Sequence, residues 1–171
     1  LESSRTDARP IDEFERAMLL QDAVGRAKAD GKLDALGDAA DSVGFLNHMQ
    51  RMVAQLKQGA VEPGAFRDRT ARRAHPSPLD AVVADIYEIY QDMLIEARLY
   101  DRQGMYWEAH EICRREQPEV LRETRALLLD GFDDFTPSEF RLLESMEPHL
   151  ELLVFGLNYD PSHPYLIGAD Y

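Results

Sequence analysis

The sequence lacks the features that several classes of protein require. Its single cysteine, Cys113, excludes an internal disulfide and a cysteine cage around zinc. No apolar run approaches the roughly 20 residues of a membrane span, and residues 1–10 are polar and charged, without an apolar signal region. These absences favour a reducing compartment, so we expect a cytoplasmic protein with no membrane partner.

Positive charge is also scarce. The chain has 19 Lys and Arg against 32 Asp and Glu, which gives a formal net charge of −13. A negative field repels phosphate and argues against a nucleic-acid platform that covers the whole surface. One local basic cluster remains, and it consists of Arg67, Arg69, Arg72, Arg73 and His75. We predict DNA contact at its four arginines, with a solvated loop or short helix as the alternative.

Most of the chain has the apolar spacing of helices. Its 171 residues, 44% of them hydrophobic, are enough to bury one ordinary core. Helices are expected over residues 11–29, 42–59, 62–73, 79–100 and 105–115, and a loop or weak helix over residues 33–41. The first helix is expected to pack through Ile11, Phe14, Met18 and Val24.

The C-terminal third has a different pattern. An apolar strand at 126–129 is followed by a capping box, in which the side chains of Thr136 and Glu139 satisfy each other's backbone amides. Pro137 suits the first turn of the helix that follows, and a second strand is expected from Glu151 to Leu157. The connection is long enough for a parallel, right-handed βαβ unit. We therefore predict a mainly α protein with a small C-terminal parallel βαβ element.

The same signals divide the chain. We expect a disordered leader over residues 1–10, a helical subdomain over 11–123, the βαβ element over 124–160 and a tail over 161–171. Two parallel strands make a poor sheet alone, so the βαβ element suggests part of a larger fold.

A cluster of carboxylates follows the first strand. Asp130, Asp133 and Asp134 lie where open α/β sheets place ligands, and such carboxylates can hold hydrated magnesium. Asp130 is the candidate metal ligand, and a small magnesium-dependent enzyme that uses the three aspartates is one interpretation. The other is a solvated acidic turn. The sequence contains no Gly-x-x-x-x-Gly-Lys-Ser/Thr loop to hold nucleotide phosphates, so we expect no catalysis by this chain.

The segment from Leu127 to Pro137, followed by Glu139 to Leu143, resembles the DGF-x-x-F-TP segment of AddB proteins, which belong to the AddAB ATP-dependent helicase-nuclease family. Upstream, the helical part with Gly44-Phe45-Leu46, Val61-Glu62-Pro63 and Trp107-Glu108-Ala109 resembles the helical insertion that precedes this segment in the same family. The resemblance covers residues 11–161, and its most specific part is about a dozen residues long.

The resemblance implies a fragment of a superfamily 1 helicase-like α/β fold with a helical insertion, from a bacterial protein that repairs double-strand breaks by recombination. The implied partners are the remainder of its own polypeptide, the partner subunit of the helicase-nuclease, and DNA. Asp130 matches the magnesium aspartate of active relatives, whereas Gly131 departs from their acidic pair. That departure is consistent with a non-catalytic scaffold. A stand-alone acidic helical domain that binds a protein partner remains the alternative.

Overall fold

The computed structural model describes residues 8–75, 77–132 and 134–156. The elements in chain order are β1 (Arg9–Pro10), α1 (Glu13–Ala29), a 3₁₀ segment (Asp34–Asp41), α2 (Val43–Gln58), α3 (Pro63–Ala71), α4 (Pro78–Glu96), β2 (Leu99–Tyr100), α5 (Arg102–Arg115), α6 (Glu119–Glu123), β3 (Ala126–Leu129), α7 (Pro137–Met146), a 3₁₀ turn (Glu147–His149) and β4 (Leu152–Phe155). Two compact units divide between Glu108 and Ala109. Over these described ranges, no helix has the length and apolar character needed to cross a membrane.

Helix α4 is the centre of the first, helical unit. It packs against α1, α2 and α3. Its apolar stripe is buried as the sequence predicts, and the buried side chains are Val82, Val83, Ile86, Tyr87, Tyr90, Met93 and Leu94. The stripe is long because apolar residues recur every three or four positions through five turns.

The predicted packing residues at helix α1 are confirmed in part, since Ile11 is buried in the core and Val24 packs against it. The buried residues of α1 are Leu20, Ala23 and Ala27, whereas Phe14 is 71% exposed and Met18 is 51% exposed. The prediction was wrong for Phe14 and Met18, because it followed the bulkiest apolar side chains. Alanines at the contact leave little side-chain volume between two helix backbones, so a small apolar face can pack closely.

The bounds of α2 and α3 agree closely with the sequence prediction. The Ser42 side chain accepts a hydrogen bond from the Phe45 amide at the start of α2, and Gly59 follows its last residue. Pro63 opens α3 at a first-turn position. The segment predicted as a loop or weak helix is the 3₁₀ segment, interrupted at Gly37, whose φ is 52°.

A short parallel strand pair joins two distant parts of the chain. Arg9 pairs with Leu99 and Pro10 with Tyr100, and the Ile11 amide donates to the Tyr100 carbonyl at 2.9 Å. Two expectations were wrong here. Arg9 and Pro10 are ordered in β1 rather than part of a leader, and α4 ends at Glu96 rather than at residue 100. The backbone contacts of β2 hold both segments extended.

The second unit contains the predicted parallel βαβ element. Strands β3 and β4 pair in the register Ala126↔Leu152 through Leu129↔Phe155. The capping box at Thr136 and Glu139 is present, with the Thr136 amide 2.9 Å from a Glu139 carboxylate oxygen. Within the described ranges β3 and β4 pair only with each other, so each strand has one unpaired edge.

The boundary between the units differs from the predicted one at residues 123/124. The last turns of α5 belong to the second unit, where the His110 ring nitrogen Nδ1 lies 3.0 Å from the Arg141 carbonyl of α7. Cys113 is also buried; burial raises the pKa of its thiol, and Ser145 of α7 acts on that pKa in the opposite direction. These contacts assign the end of α5 to the βαβ unit. The predicted tail over 161–171 lies outside the described residues, and β4 ends at Phe155.

Candidate functional site

The basic cluster lies on α3 and just beyond it. Phe66 and Thr70 bury one side of α3, and the helix packs on α4. From α3, Arg67 donates to Asp85 at 2.9 Å and to Glu88 at 2.6 Å. Desolvation opposes the charge of Arg67, but these two hydrogen bonds outweigh it and raise its pKa. Arg67 is therefore a permanent cation whose charge is largely neutralised within the protein.

The cluster divides into paired and unpaired arginines. Arg73 forms an ion pair with Asp80 of α4. Arg69 and Arg72 are exposed, and neither forms an ion pair within residues 8–75, 77–132 and 134–156. His75 is exposed as well. Of the four predicted DNA contacts, Arg69 and Arg72 are the ones whose guanidinium groups are available to a phosphate.

The acidic turn follows β3. Asp130 and Asp134 are exposed, and Gly131 has φ 76°, a conformation that glycine adopts without strain. A Cβ at Gly156, directly after β4, would lie 2.6 Å from Asp130 Oδ1, so glycine lets the carboxylate approach the backbone. Asp133 lies outside the described residues, and no group of three metal ligands occurs among those inside. The magnesium ligand Asp130 stays a prediction, and we derive no chemistry from it.

Aromatic rings surround the same turn. Phe132 stacks on Phe135 with ring centroids 4.9 Å apart, and Phe135 contacts Phe155 edge-on at 5.8 Å. Phe132 keeps 42% of its surface exposed. A stacked, partly exposed aromatic pair at the carboxyl ends of parallel strands offers a flat apolar surface to a ligand.

Within the described residues, one face of the βαβ sheet is exposed. Ala126 and Leu128 of β3 lie on the same face as Leu152 and Val154 of β4, because side chains two residues apart share a face. All four are at least partly exposed, with Leu128 at 69%, Leu152 at 53% and Val154 at 39%. On the opposite face Leu127, Leu129 and Leu153 are more buried, whereas Phe155 is 41% exposed. We call the exposed set the open sheet face.

The sequence reasoning missed a buried charged pair in the helical unit. Lys57 and Asp101 have side chains only 1% and 4% exposed, and their charged groups are 2.8 Å apart. A signal was present, since Phe45, Met49, Val53 and Lys57 recur at steps of four on α2. A lysine that continues an apolar stripe indicates a buried cation with a partner.

Comparison with known proteins places the chain in a family. The family model described as "ADDB, N-terminal" matches residues 2–165. The B subunit of the ATP-dependent helicase/deoxyribonuclease of Bacillus subtilis (strain 168) is 30% identical over 155 residues, which cover 85% of this chain and 13% of that protein. The protein of the same name from Bacillus licheniformis is 29% identical over 150 residues, 84% of this chain and 12% of that protein.

These matches cover most of this chain and a small part of each relative. The chain spans about an eighth of the length of the curated relatives. The family match extends over both compact units, and the predicted resemblance to AddB is confirmed. The chain belongs to the AddB N-terminal family.

Proposed function

We propose that this chain is a non-catalytic scaffold segment of an AddB-type subunit of a DNA-repair helicase-nuclease that works in the cytoplasm, and that it contacts DNA. The observation that carries the scaffold role is the open sheet face. The three larger residues of this face are 39–69% exposed. Exposing apolar surface to water is unfavourable, and covering the face in a longer protein removes that free-energy cost.

The remainder of a longer polypeptide is the occupant that we propose for the open sheet face. Relatives are about eight times as long as this chain, so they have ample sequence to supply helices over the face and strands at its edges. Parallel sheets are normally covered on both faces. We propose that β3 and β4 are part of a larger parallel, helicase-like sheet in such a subunit. The sequence has no phosphate-binding loop, which supports a scaffold rather than an ATPase role for this segment.

The scaffold proposal is tested by polar substitution on the open sheet face. The double variant Leu128→Ser with Val154→Ser is made in this chain alone and in the full-length protein. In this chain, we expect the free energy of unfolding to change by no more than about 1 kcal/mol, about 0.5 kcal/mol for each exposed side chain. In the full-length protein we expect a loss of about 1–3 kcal/mol per hydroxyl, because each is then buried.

A matched control uses the opposite face. Leu153→Ser replaces a partly buried leucine of the same strand and should destabilise both proteins. If the full-length protein tolerates the double variant as well as this chain does, the remainder of the polypeptide does not cover the open sheet face. That result favours the alternative, in which a separate protein partner binds there.

DNA contact is proposed at Arg69 and Arg72. Both are exposed cations on one short segment, and counterion release gives each phosphate contact a salt-dependent contribution. The experiment titrates a fluorescent duplex with a single-stranded tail against the chain at several salt concentrations. Arg69→Ala with Arg72→Ala should weaken binding and reduce the slope of log affinity against log salt by about 2.

The control for charge alone is Arg26→Ala with Arg51→Ala. Both of these arginines are exposed on other helices, and the variant has the same net charge as the test variant. An equal loss of binding in the two variants would mean that binding reflects net charge alone. No binding by the unsubstituted chain at low salt would remove DNA contact from the proposed function and leave the scaffold role.

A further inference from the structure

Lys57 is the most deeply buried charged side chain that the structure describes, with 1% of its surface exposed. Its ammonium lies 2.8 Å from Asp101 Oδ1 and 3.1 Å from the Gln91 side-chain oxygen. The rings of Tyr90 and Trp107 flank it, each with its centroid 5.5 Å away. The cation thus contacts side chains of α4 and α5 and the residue that precedes α5.

Asp101 connects the same cation to the start of α5. It lies between β2 and α5, and its Oδ1 accepts the backbone amide of Gly104 at 2.7 Å, which is the arrangement of a helix N-cap. Its Oδ2 accepts the Tyr90 hydroxyl at 2.9 Å. Both carboxylate oxygens of Asp101 therefore have a hydrogen-bond donor. No buried side-chain polar atom in the described part of the chain lacks a partner.

The close approach depends on a glycine. A Cβ at Gly104 would lie 3.0 Å from Asp101 Oδ1 and 3.7 Å from the Lys57 ammonium. A second link runs in the opposite direction, since the Trp107 indole N–H donates to the Lys57 backbone carbonyl at 3.1 Å. Residues 101–107 are therefore tied to α2 through both the side chain and the backbone of Lys57.

Burial makes this pair a poor source of stability. Burial, together with repulsion from Arg16, lowers the pKa of Lys57 despite the opposing effect of Asp101, so the charged lysine carries a desolvation cost. Apolar side chains of similar volume often stabilise such a position as well or better. Apolar contacts, however, have no preferred direction. The polar contacts of Lys57 instead join specific atoms of two helices and of the residue between β2 and α5.

We propose that the Lys57–Asp101 pair is a conformational lock that fixes where α5 begins and how its first turns lie against α2. The proposal is independent of DNA contact and of the scaffold role. The pair acts on conformational specificity rather than on stability. It selects one arrangement of residues 101–107 among those that an apolar contact would allow. Loss of the pair frees these residues before it unfolds the helices around α4.

The test uses Trp107, the only tryptophan of the chain, as the reporter of α5 packing. Three variants are compared with the unsubstituted chain: Lys57→Met, Asp101→Asn and the double variant. Asparagine keeps the acceptor for the Gly104 amide and removes the charge. Each single variant leaves one uncompensated buried charge or one unpaired partner, and the melting temperature should fall by roughly 10 °C. The double variant should regain more than half of that fall.

The lock predicts a second result in the double variant. With stability mostly restored, Trp107 should remain more mobile than in the unsubstituted chain, with a red-shifted emission maximum and stronger acrylamide quenching. Lys28→Met with Asp41→Asn is the matched control, because it removes an exposed Lys–Asp ion pair of the same unit. The control should change neither the melting temperature nor the Trp107 signal appreciably.

Two outcomes would overturn the proposal. If the melting temperature of the double variant falls by the sum of the decreases in the two single variants, the charges do not act as a pair. If it regains stability and its Trp107 emission and quenching equal those of the unsubstituted chain, the pair contributes nothing to the arrangement of α5. A variant too unstable to fold at 25 °C is assessed by the same fluorescence measurements at 5 °C.

Discussion

The helical unit and the βαβ unit differ in how completely they bury their apolar residues. In the helical unit, Leu20, Ile86 and Leu94 are at most 1% exposed, and even a buried lysine has its partners within the unit. In the βαβ unit the strands are apolar on both faces, yet Leu128 is 69% exposed. The difference indicates that local signals suffice to form a strand pair and a capped helix, while one face of this sheet stays exposed among the described residues.

The largest expected effect tests this contrast with one substitution at two places. Leu20→Ala removes a leucine that is 1% exposed, and we expect a loss of about 2–5 kcal/mol in the free energy of unfolding from lost burial and a cavity. Leu128→Ala in the βαβ unit should cost no more than about 0.5 kcal/mol in this chain. Urea denaturation followed by circular dichroism measures both. Similar losses would show that the open sheet face is buried in solution.

Two glycines within helices give a smaller effect, in which the change in stability should have opposite signs. Gly25→Ala on α1 meets no atom within 4 Å, so it should stabilise the chain by about 1 kcal/mol through helix propensity. Gly104→Ala should lose that gain and destabilise, because its Cβ would meet a carboxylate that Lys57 and Tyr90 hold in place. Thermal melts of the two variants decide the sign. Equal stabilisation would mean that Asp101 can move aside.

A cap in each unit sharpens the comparison further. Thr136→Ala removes the box at the start of α7, and Ser42→Ala removes the cap of α2; each should cost about 1 kcal/mol. Native-state hydrogen exchange shows where each loss is felt. We expect Thr136→Ala to raise exchange in α7 and Ser42→Ala to raise it in α2. A neutral Thr136→Ala would mean that the capping contacts of α7 do not form in solution.

The smallest effect concerns pH and the buried pair. Burial lowers the pKa of Lys57 below its ordinary 10.5, with Asp101 opposing the shift and Arg16 adding to it. Between the lowered pKa and 10.5 the unfolded chain binds the proton that the folded protein has lost, so stability gains a positive contribution as pH rises. Tyr90 works against this above pH 10, because burial raises its pKa.

The measurement is therefore a difference. The free energy of unfolding of Lys57→Met is subtracted from that of the unsubstituted chain at each pH. The difference should increase toward pH 10.5, because the variant keeps Asp101, Arg16, Glu13 and Tyr90 but lacks the lysine proton. A flat difference would mean that the pKa of Lys57 is not lowered.

Much of the fold follows from local sequence. The stripe of α4, the extent of α2, the cap of α7 and the parallel βαβ connection follow from short-range patterns, and all were predicted. The β1 and β2 pair was not, because Arg9 and Leu99 meet across 90 positions and neither strand exceeds two residues. Phe14 and Met18 of α1 were predicted wrongly, since Leu20 and two small alanines are buried instead.

The candidate site was predictable in position and not in detail. The clustering of basic residues in the sequence located the four arginines. Whether each arginine is already in an ion pair depends on Asp80, Asp85 and Glu88 of α4. No local pattern pairs Arg67 or Arg73 with those acids, because the contacts arise only when α3 lies on α4. The Lys57 and Asp101 pair has the same character, since 44 positions separate its members.

Within the described residues β3 and β4 each have an unpaired edge, and these edges have a consequence for work with this chain in isolation. Neither four-residue strand carries a charge, so both edges lack the side chains that normally discourage edge-to-edge association. The net charge of −13 keeps molecules apart by repulsion, and added salt screens that repulsion. Self-association should therefore increase with salt and with protein concentration, opposite in sign to DNA binding. Light scattering recorded beside each binding titration separates aggregation from loss of affinity.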